Sequence, residues 1–299
     1  VSALGRLAGG VALAGAAGLA WGLVEARAFT VRRVSVPVLP AGAKPLTVLH
    51  LSDLHITPAQ RDKVEWVASL AQECEPDLVV VTGDNLAHAD AVATVAEAYA
   101  SLLLRPGLFV FGSNDYWGPK PVNPLQYFGG PSRLRSQRTA LPVEDLRTVF
   151  LDAGWHDLNN ARAELTVGGL TLTAVGMDDP HIGRDAMPAG GGAKGDLHLG
   201  VVHAPYARAL GALVDDGVDM MFAGHTHGGQ VCVPFYGALV TNCDLDAARV
   251  KGLSRWPGDL DDPDSPWLHV SAGLGTSPFA PVRFACRPEA TVLTLGPRA

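Results

Sequence analysis

The segment Gly224-His225-Thr226-His227-Gly228-Gly229-Gln230 sets two imidazoles two residues apart beside three glycines. In an extended stretch residues i and i+2 share a face, so both rings can reach one small volume. The glycines let the backbone take positive φ and approach a bound group. Converging neutral imidazoles are what a transition metal requires. Asp53-Leu54-His55 repeats the spacing. Each feature has a bland counterpart: a Gly-rich pair of histidines fits a turn, Asp84 alone fits a helix cap, and His203 alone fits a packed core.

The elements carrying these residues argue for a site. Apolar runs at Leu46–Leu51, Leu78–Val81, Leu108–Phe111, Leu197–Val202 and Val218–Ala223 each lead into a candidate ligand: Asp53-Leu54-His55, Gly83-Asp84, Gly112-Ser113-Asn114-Asp115, His203 and Gly224-His225. Short apolar runs bounded by turn residues are expected to be buried strands. In an open α/β sheet, ligands bind beyond the strands' carboxyl ends. Between the runs, Arg61–Cys74, Asp90–Leu104 and Leu141–Ala153 have helical periodicity, with Pro142 near the start of the last. Ala161–Val167 and Leu170–Val175, joined by Gly168-Gly169, form an expected hairpin. Val31–Val38, ended by Pro37 and Pro40, is an expected edge strand. The fold implied is α/β: two mixed β-sheets in a sandwich with helices on both outer faces.

The order Asp-x-His, Gly-Asp, a Gly-Asn-His-Asp-like box, a strand-end His and Gly-His-x-His resembles the calcineurin-like metallophosphoesterase superfamily. The long form Gly-His-Thr-His-Gly-Gly-Gln is most similar to its membrane-anchored bacterial branch. So is the tail Ser271-Ala272-Gly273-Leu274-Gly275-Thr276 with Pro281-Val282-Arg283-Phe284 and Arg287-Pro288-Glu289. The resemblance covers roughly residues 34 to 295 and implies the same four-layer fold. It also implies two divalent transition-metal ions (Mn, Fe or Zn), a donor set that cysteine-free carboxylate, amide and imidazole ligands suit. Asp53, His55 and His227 would hold the first, Asp84 would bridge, and an amide from the 112–115 box, His203 and His225 would hold the second. Such a pair about 3.5–4 Å apart can clamp an in-line displacement at phosphorus and generate hydroxide at neutral pH.

The box departs from the family pattern. Strict alignment puts Ser113 in the ligand slot and Asn114 in the slot of the histidine that assists the leaving group. Asn114 is expected to supply the amide oxygen through a local shift of the turn. A general acid is typically worth ~10²–10⁴-fold, so the loss points to a good leaving group, such as a pyrophosphate linkage, or to protonation by Asp115 or His88. The related UDP-diacylglucosamine pyrophosphohydrolases also lack the box histidine. The substrate expected from the resemblance is a phosphodiester or pyrophosphate, in a phosphorylated small molecule or a lipid. A protein phosphatase and a non-catalytic metal-binding scaffold are the alternatives.

Composition bounds the rest. With 299 residues, 47% apolar and 18% charged, the chain can bury one large core. A formal net charge of −7 argues against a nucleic-acid scaffold. Cys74, Cys232, Cys243 and Cys286 are too few for a disulfide framework. Buried free thiols are expected, with Cys232–Cys243 the conceivable pair. Residues 31–299 are expected to form the catalytic domain and residues 1–30 a separate unit. Leu7–Val24 carries no charge, but 11 of its 18 residues are Gly or Ala. A membrane anchor is the expected role; a signal peptide and a helix of the soluble fold remain open. Arg27, Arg32 and Arg33 after the segment favour a cytoplasmic catalytic domain, with export still open.

Two insertions stand out. Residues 117–141 hold Lys120, Arg133, Arg135 and Arg138 and no acidic residue, so either a solvated loop or a cap whose arginines Arg133, Arg135 and Arg138 grip a phosphate is expected. Residues 183–196, rich in Gly and Ala, suggest a mobile loop.

Overall fold

A computed structural model describes residues 3–121, 138–191 and 195–298. A helix, α1 (Ala3–Glu25), precedes strand β1 (Thr30–Leu39). Then follow β2 (Leu46–Leu51), α2 (Arg61–Cys74), β3 (Leu78–Val81), α3 (Val92–Tyr99) and β4 (Gly107–Phe109). The single turn α4 (Ser113–Tyr116), α5 (Val143–Asp152) and β5 (His156–Asp157) complete the first half. The second half runs β6 (Ala161–Val167), β7 (Leu170–Met177), β8 (Leu197–Val202), α6 (Ala207–Asp215), β9 (Met220–Ala223), β10 (Cys232–Val233), β11 (Gly237–Ala238), β12 (Gly252–Arg255), β13 (Trp267–Val270) and β14 (Glu289–Pro297).

Two six-stranded mixed sheets result, ordered β1-β14-β2-β3-β4-β5 and β12-β13-β9-β8-β7-β6. The period of two along each strand decides where side chains go. On β3, Leu78 and Val80 join one core with Leu199, Val201, Met220 and Phe222 of the other sheet, while Val79 and Val81 join a second core with α2, α3 and α5. A third core lies between the second sheet and α6. The layers are therefore helix, sheet, sheet, helix, as expected. Strands buried on both faces read as continuous apolar runs rather than alternating ones.

Several boundaries differ from expectation. The helix expected over 90–104 is a short 3₁₀ turn (Ala89–Ala91) followed by α3, because Leu102 folds back in a turn to be buried before Pro106. Pro142 precedes α5 as its N-cap rather than lying inside it. Pro37 does not end β1; this strand is at the sheet edge, where a missing N–H costs no ladder bond, and the register shifts between Pro37 and Leu39. All four cysteines are buried and free, so Cys232 and Cys243 are not paired.

The expectation of a membrane-spanning helix is not met: among the described residues no helix is long and apolar enough to cross a membrane. Among its described side chains, α1 is docked by its carboxyl end. Glu25 is buried and accepts from the backbone N–H groups of Ala285 (3.1 Å) and Cys286 (2.6 Å), and the Gly22 carbonyl accepts from Arg283 N–H at 3.0 Å.

Candidate metal centre

The carboxyl ends of β2, β3, β4, β7, β8, β9 and β13 converge on one volume. After β2 the chain turns sharply, with Asp53 at φ 51° and His55 at φ 44°, and after β3 Asp84 is at φ 56°. Left-handed backbone at non-glycine residues is costly and persists where surroundings over-determine it. Here the backbones of the two loops are bonded to each other: Asp53 N–H donates to Gly83 O at 2.9 Å and His55 N–H to Asp84 O at 2.9 Å. Gly112 and Gly224 have no room for a side chain. A Cβ at Gly112 would be 2.3 Å from Asp84 Oδ1, and one at Gly224 would be 1.9 Å from Ser52 Oγ.

Two triads of donor atoms form, Asp53–His55–His227 and Asp53–Asp84–His203, each with its atoms within 4.8 Å of one another. His55 Nε2 lies 3.2 Å from His227 Nε2 and 3.6 Å from Asp84 Oδ2. His227 Nε2 lies 3.6 Å from Asp53 Oδ1, and His203 Nε2 lies 3.5 Å from Asp84 Oδ1. Donors about 2.1 Å from one ion sit about 3–3.4 Å apart, so these spacings are close to those of a shared cation. The His203 Nδ1–H donates to Thr82 O at 2.5 Å, which turns Nε2 toward Asp84; that nitrogen is buried and has no hydrogen-bond partner, and against the effect of burial the Asp84 and Asp179 carboxylates raise the His203 pKa well above the usual range. Burial first, and neighbouring rings and cations second, depress His55 to about 4 and hold His225 and His227 well below the usual range, leaving all three neutral. Burial opposes ionisation of Asp84, but His203, His55 and Asn114 outweigh it and keep its pKa well below the usual carboxylate range. No lysine or arginine bonds to Asp53 or Asp84 among the described residues. The donor set fits divalent ions.

The other expected residues sort differently. His225 belongs to neither triad, but its ring is 5.2 Å from that of His203 and its Nε2 faces the Asn242 carbonyl at 3.1 Å, which leaves Nδ1 to face the cluster. Asn114, not Ser113, bonds to Asp84: its backbone N–H and its side-chain amide each lie 2.7 Å from that carboxylate. Asp115 is fully buried and accepts from the N–H groups of Asp84 (2.8 Å), Asn85 (2.8 Å), Gly112 (3.0 Å) and Leu86 (3.2 Å). Its carboxylate is committed to holding the two loops, so it is a positioning residue rather than the expected proton donor. His88 is more than half exposed and accepts from the Asp90 N–H as the cap of the 3₁₀ turn, which places it on the surface rather than among the cluster's donors. Arg133 and Arg135 lie outside the described residues. Arg138 is half-buried, and its charge helps depress His181, beside the cluster.

Sequence reasoning missed two groups. β7 runs on to Met177 and delivers Asp178-Asp179-Pro180-His181. The His181 ring is 4.5 Å from that of His225 and its Nδ1 is 3.0 Å from Tyr206 Oη. Asp179 Oδ2 is buried without a partner, and burial pushes its pKa to about 7. The signal is the same as for the other ligand strands, an apolar run ending on acids, but the expected strand stops at Val175, two residues short of the observed end. The start of the following loop is tied down rather than free: Arg184 bonds Asp178 at 2.7 Å and lies over the Tyr116 ring. The second group is Arg283, fully buried, whose guanidinium donates to the carbonyls of Ala272 (2.7 Å), Gly275 (2.8 Å), Gly273 (3.0 Å) and His227 (3.3 Å). It clamps the β13 loop to the His-x-His loop.

A sandwich of mixed sheets with carboxylates and imidazoles at one end defines a metal-dependent hydrolase. Residues 46–229 match the calcineurin-like phosphoesterase family model, more than half of the chain, and the chain belongs to that family. The metallophosphoesterase YkuE of Bacillus subtilis is 25% identical over 276 residues, 89% of this chain and 84% of that protein. The phosphodiesterase YaeI of Escherichia coli is 26% identical over 263 residues, 85% and 83% of the two chains. A zebrafish transmembrane protein with a metallophosphoesterase domain is 27% identical over 216 residues, 66% of this chain and 44% of that one. Among solved structures, TT1561 of Thermus thermophilus aligns over 77% of this chain and 91% of its own at 10% identity, with a TM-score of 0.42. The chain is a phosphoester hydrolase, which sets aside the non-catalytic alternative.

Proposed function

We propose that this chain hydrolyses a phosphodiester or pyrophosphate bond at a two-ion centre. Asp53, His55 and His227 would hold one ion and His203, His225 and Asn114 the other, with the Asp84 carboxylate available to both. One observation carries this reading: two buried carboxylates and three imidazole Nε2 atoms crowd together, with no lysine or arginine bonded to either carboxylate among the described residues. When bound, two divalent ions there supply Lewis acidity toward phosphoryl oxygens and make water a stronger acid. The chain's own part is to hold and exclude. Asp115 and Arg283 fix the loops, Asn114 orients Asp84, and buried Leu54 and Leu274 wall the site from solvent. Arg138, beside His181, supplies positive charge for a phosphate.

Replacing Asp84 with Ala tests the assignment. We expect metal content to fall by both ions and manganese-dependent hydrolysis of bis(p-nitrophenyl) phosphate to fall beyond the roughly 10–100-fold of outer-shell changes. Undiminished metal content or turnover overturns the assignment. The reading extends to location: α1 attaches the chain to a lipid surface. The support is the exposure of Val11, Leu13, Leu19, Trp21 and Val24 on α1, with Arg27 just beyond its carboxyl end.

A further inference from the structure

Two thiols lie beneath the His225–His227 loop. Cys232 follows that loop on β10, and Cys286 precedes β14; both are buried and free. Backbone pairing brings their segments together, since Val231 bridges Phe284 and the Cys232 N–H donates to Phe284 O at 2.8 Å. Both thiols then reach one acceptor: Cys232 Sγ is 3.2 Å and Cys286 Sγ 3.4 Å from Gly228 O. Cys286 Sγ also lies 3.4 Å from His227 O. Two cations face Cys286, Lys251 Nζ at 3.6 Å and Arg283 Nη1 at 3.9 Å. Cys74 and Cys243 belong to other cores, away from this pair.

We propose that Cys232 and Cys286 are a redox-active dithiol, a modification site where a peroxide converts the pair into a disulfide that shifts the peptide carrying His227. The Cys286 sulfur, which Lys251 and Arg283 both approach, attacks one oxygen of hydrogen peroxide. The S–O bond forms, the O–O bond breaks, and the departing hydroxide leaves as water with the Cys286 proton. The Cys232 sulfur then attacks the sulfenic sulfur: S–S forms, S–O breaks, and a second water leaves with the Cys232 proton. The two sulfurs are oxidised by two electrons, and one peroxide is reduced to two waters.

The consequence follows from what the thiols hold. A disulfide has no S–H, so Gly228 O loses both sulfur donors and His227 O loses one. The loop has little slack, with His227 at φ 50°, Gly228 at φ 61° and Gly229 at φ 81°, and a Cβ at Gly228 would lie 2.8 Å from Cys286 Sγ. A change at sulfur is therefore felt at His227. The chemistry at sulfur is independent of the proposed hydrolytic function; its effect on turnover rests on that function.

The full chain would be treated with hydrogen peroxide, denatured and alkylated, and its peptides mapped by mass. We expect two thiols to resist alkylation, a chain two hydrogens lighter, and a cross-linked peptide joining Cys232 to Cys286. Cys232→Ser should abolish all three; should Cys286→Ser fail to fold, Cys232→Ser alone decides. Four alkylatable thiols, or a cross-link involving Cys74 or Cys243, overturns the site. In parallel, turnover of bis(p-nitrophenyl) phosphate should fall about tenfold or more on oxidation, as for outer-shell changes, and return with dithiothreitol. A cross-link that leaves turnover unchanged overturns the coupling to His227.

Discussion

Ser113 and Asn114 determine how much proton chemistry the site can perform. Asn114 carries an amide to Asp84, and an amide does not titrate, so this position of the box offers no acid to a departing alkoxide. Neither expected substitute is placed to help: Asp115 is used up on four backbone N–H groups, and His88 caps a surface turn. A site without such an acid favours leaving groups that are already weak bases. We therefore expect purified protein to cleave the pyrophosphate bond of a sugar nucleotide faster than a simple dialkyl phosphate, by about the 10²–10⁴-fold a general acid is worth. Measuring kcat/KM for both under one metal condition checks this, and faster turnover of the dialkyl ester would refute it.

Strands were legible in the sequence to the extent that both their faces are buried. β2, β3, β8 and β9 are covered on each side, so their apolar runs and the ligands after them stood out. Asp178, Asp179 and His181 were missed because β7 mixes threonines and partly buried positions into its run. Arg283 was noticed only as part of a motif; its burial against five carbonyls depends on loops far apart in sequence. The same limit applies to the link from α6 to its sheet. Asp216, at the C-cap of α6, accepts from both Arg162 Nη atoms of β6 (2.8 and 2.6 Å) and pairs with His198 Nε2 of β8 at 2.9 Å. The Arg162 hydrogen bonds, with His198, lower its pKa to about 2. A carboxylate with a depressed folded pKa adds stability above its unfolded value near 3.8, and that contribution fades as pH falls toward about 2. Asp216→Asn should lower Tm by about 2–4 °C at neutral pH, with the difference from the parent chain vanishing near the lower limit. Thermal melts across that range read it directly, and a pH-independent difference contradicts it.

At the scale of the molecule, α1 leaves more large apolar side chains exposed than any other described helix. Val11, Leu13, Leu19, Trp21 and Val24 are each more than half exposed, and among its described side chains only those near Gly22 and Glu25 touch the domain closely. A soluble monomer rarely leaves an apolar surface of that extent uncovered, and the helix contributes little to the two sheets or their cores. Removing residues 1–20 would keep the Trp21–Glu25 hydrogen bond and the Glu25 contacts to Ala285 and Cys286. The shortened chain should therefore melt within about 2 °C of the full one, as for changes outside the core, and keep its turnover of a soluble nitrophenyl diester. It should also lose what the helix confers. In flotation with vesicles of anionic phospholipid, the full chain should rise with the lipid and the shortened chain should stay below, since buried apolar area and basic residues set interfacial affinity. Equal behaviour of the two chains would rule out α1 as a lipid-attachment element. A large loss of stability would mean instead that the helix is part of the fold.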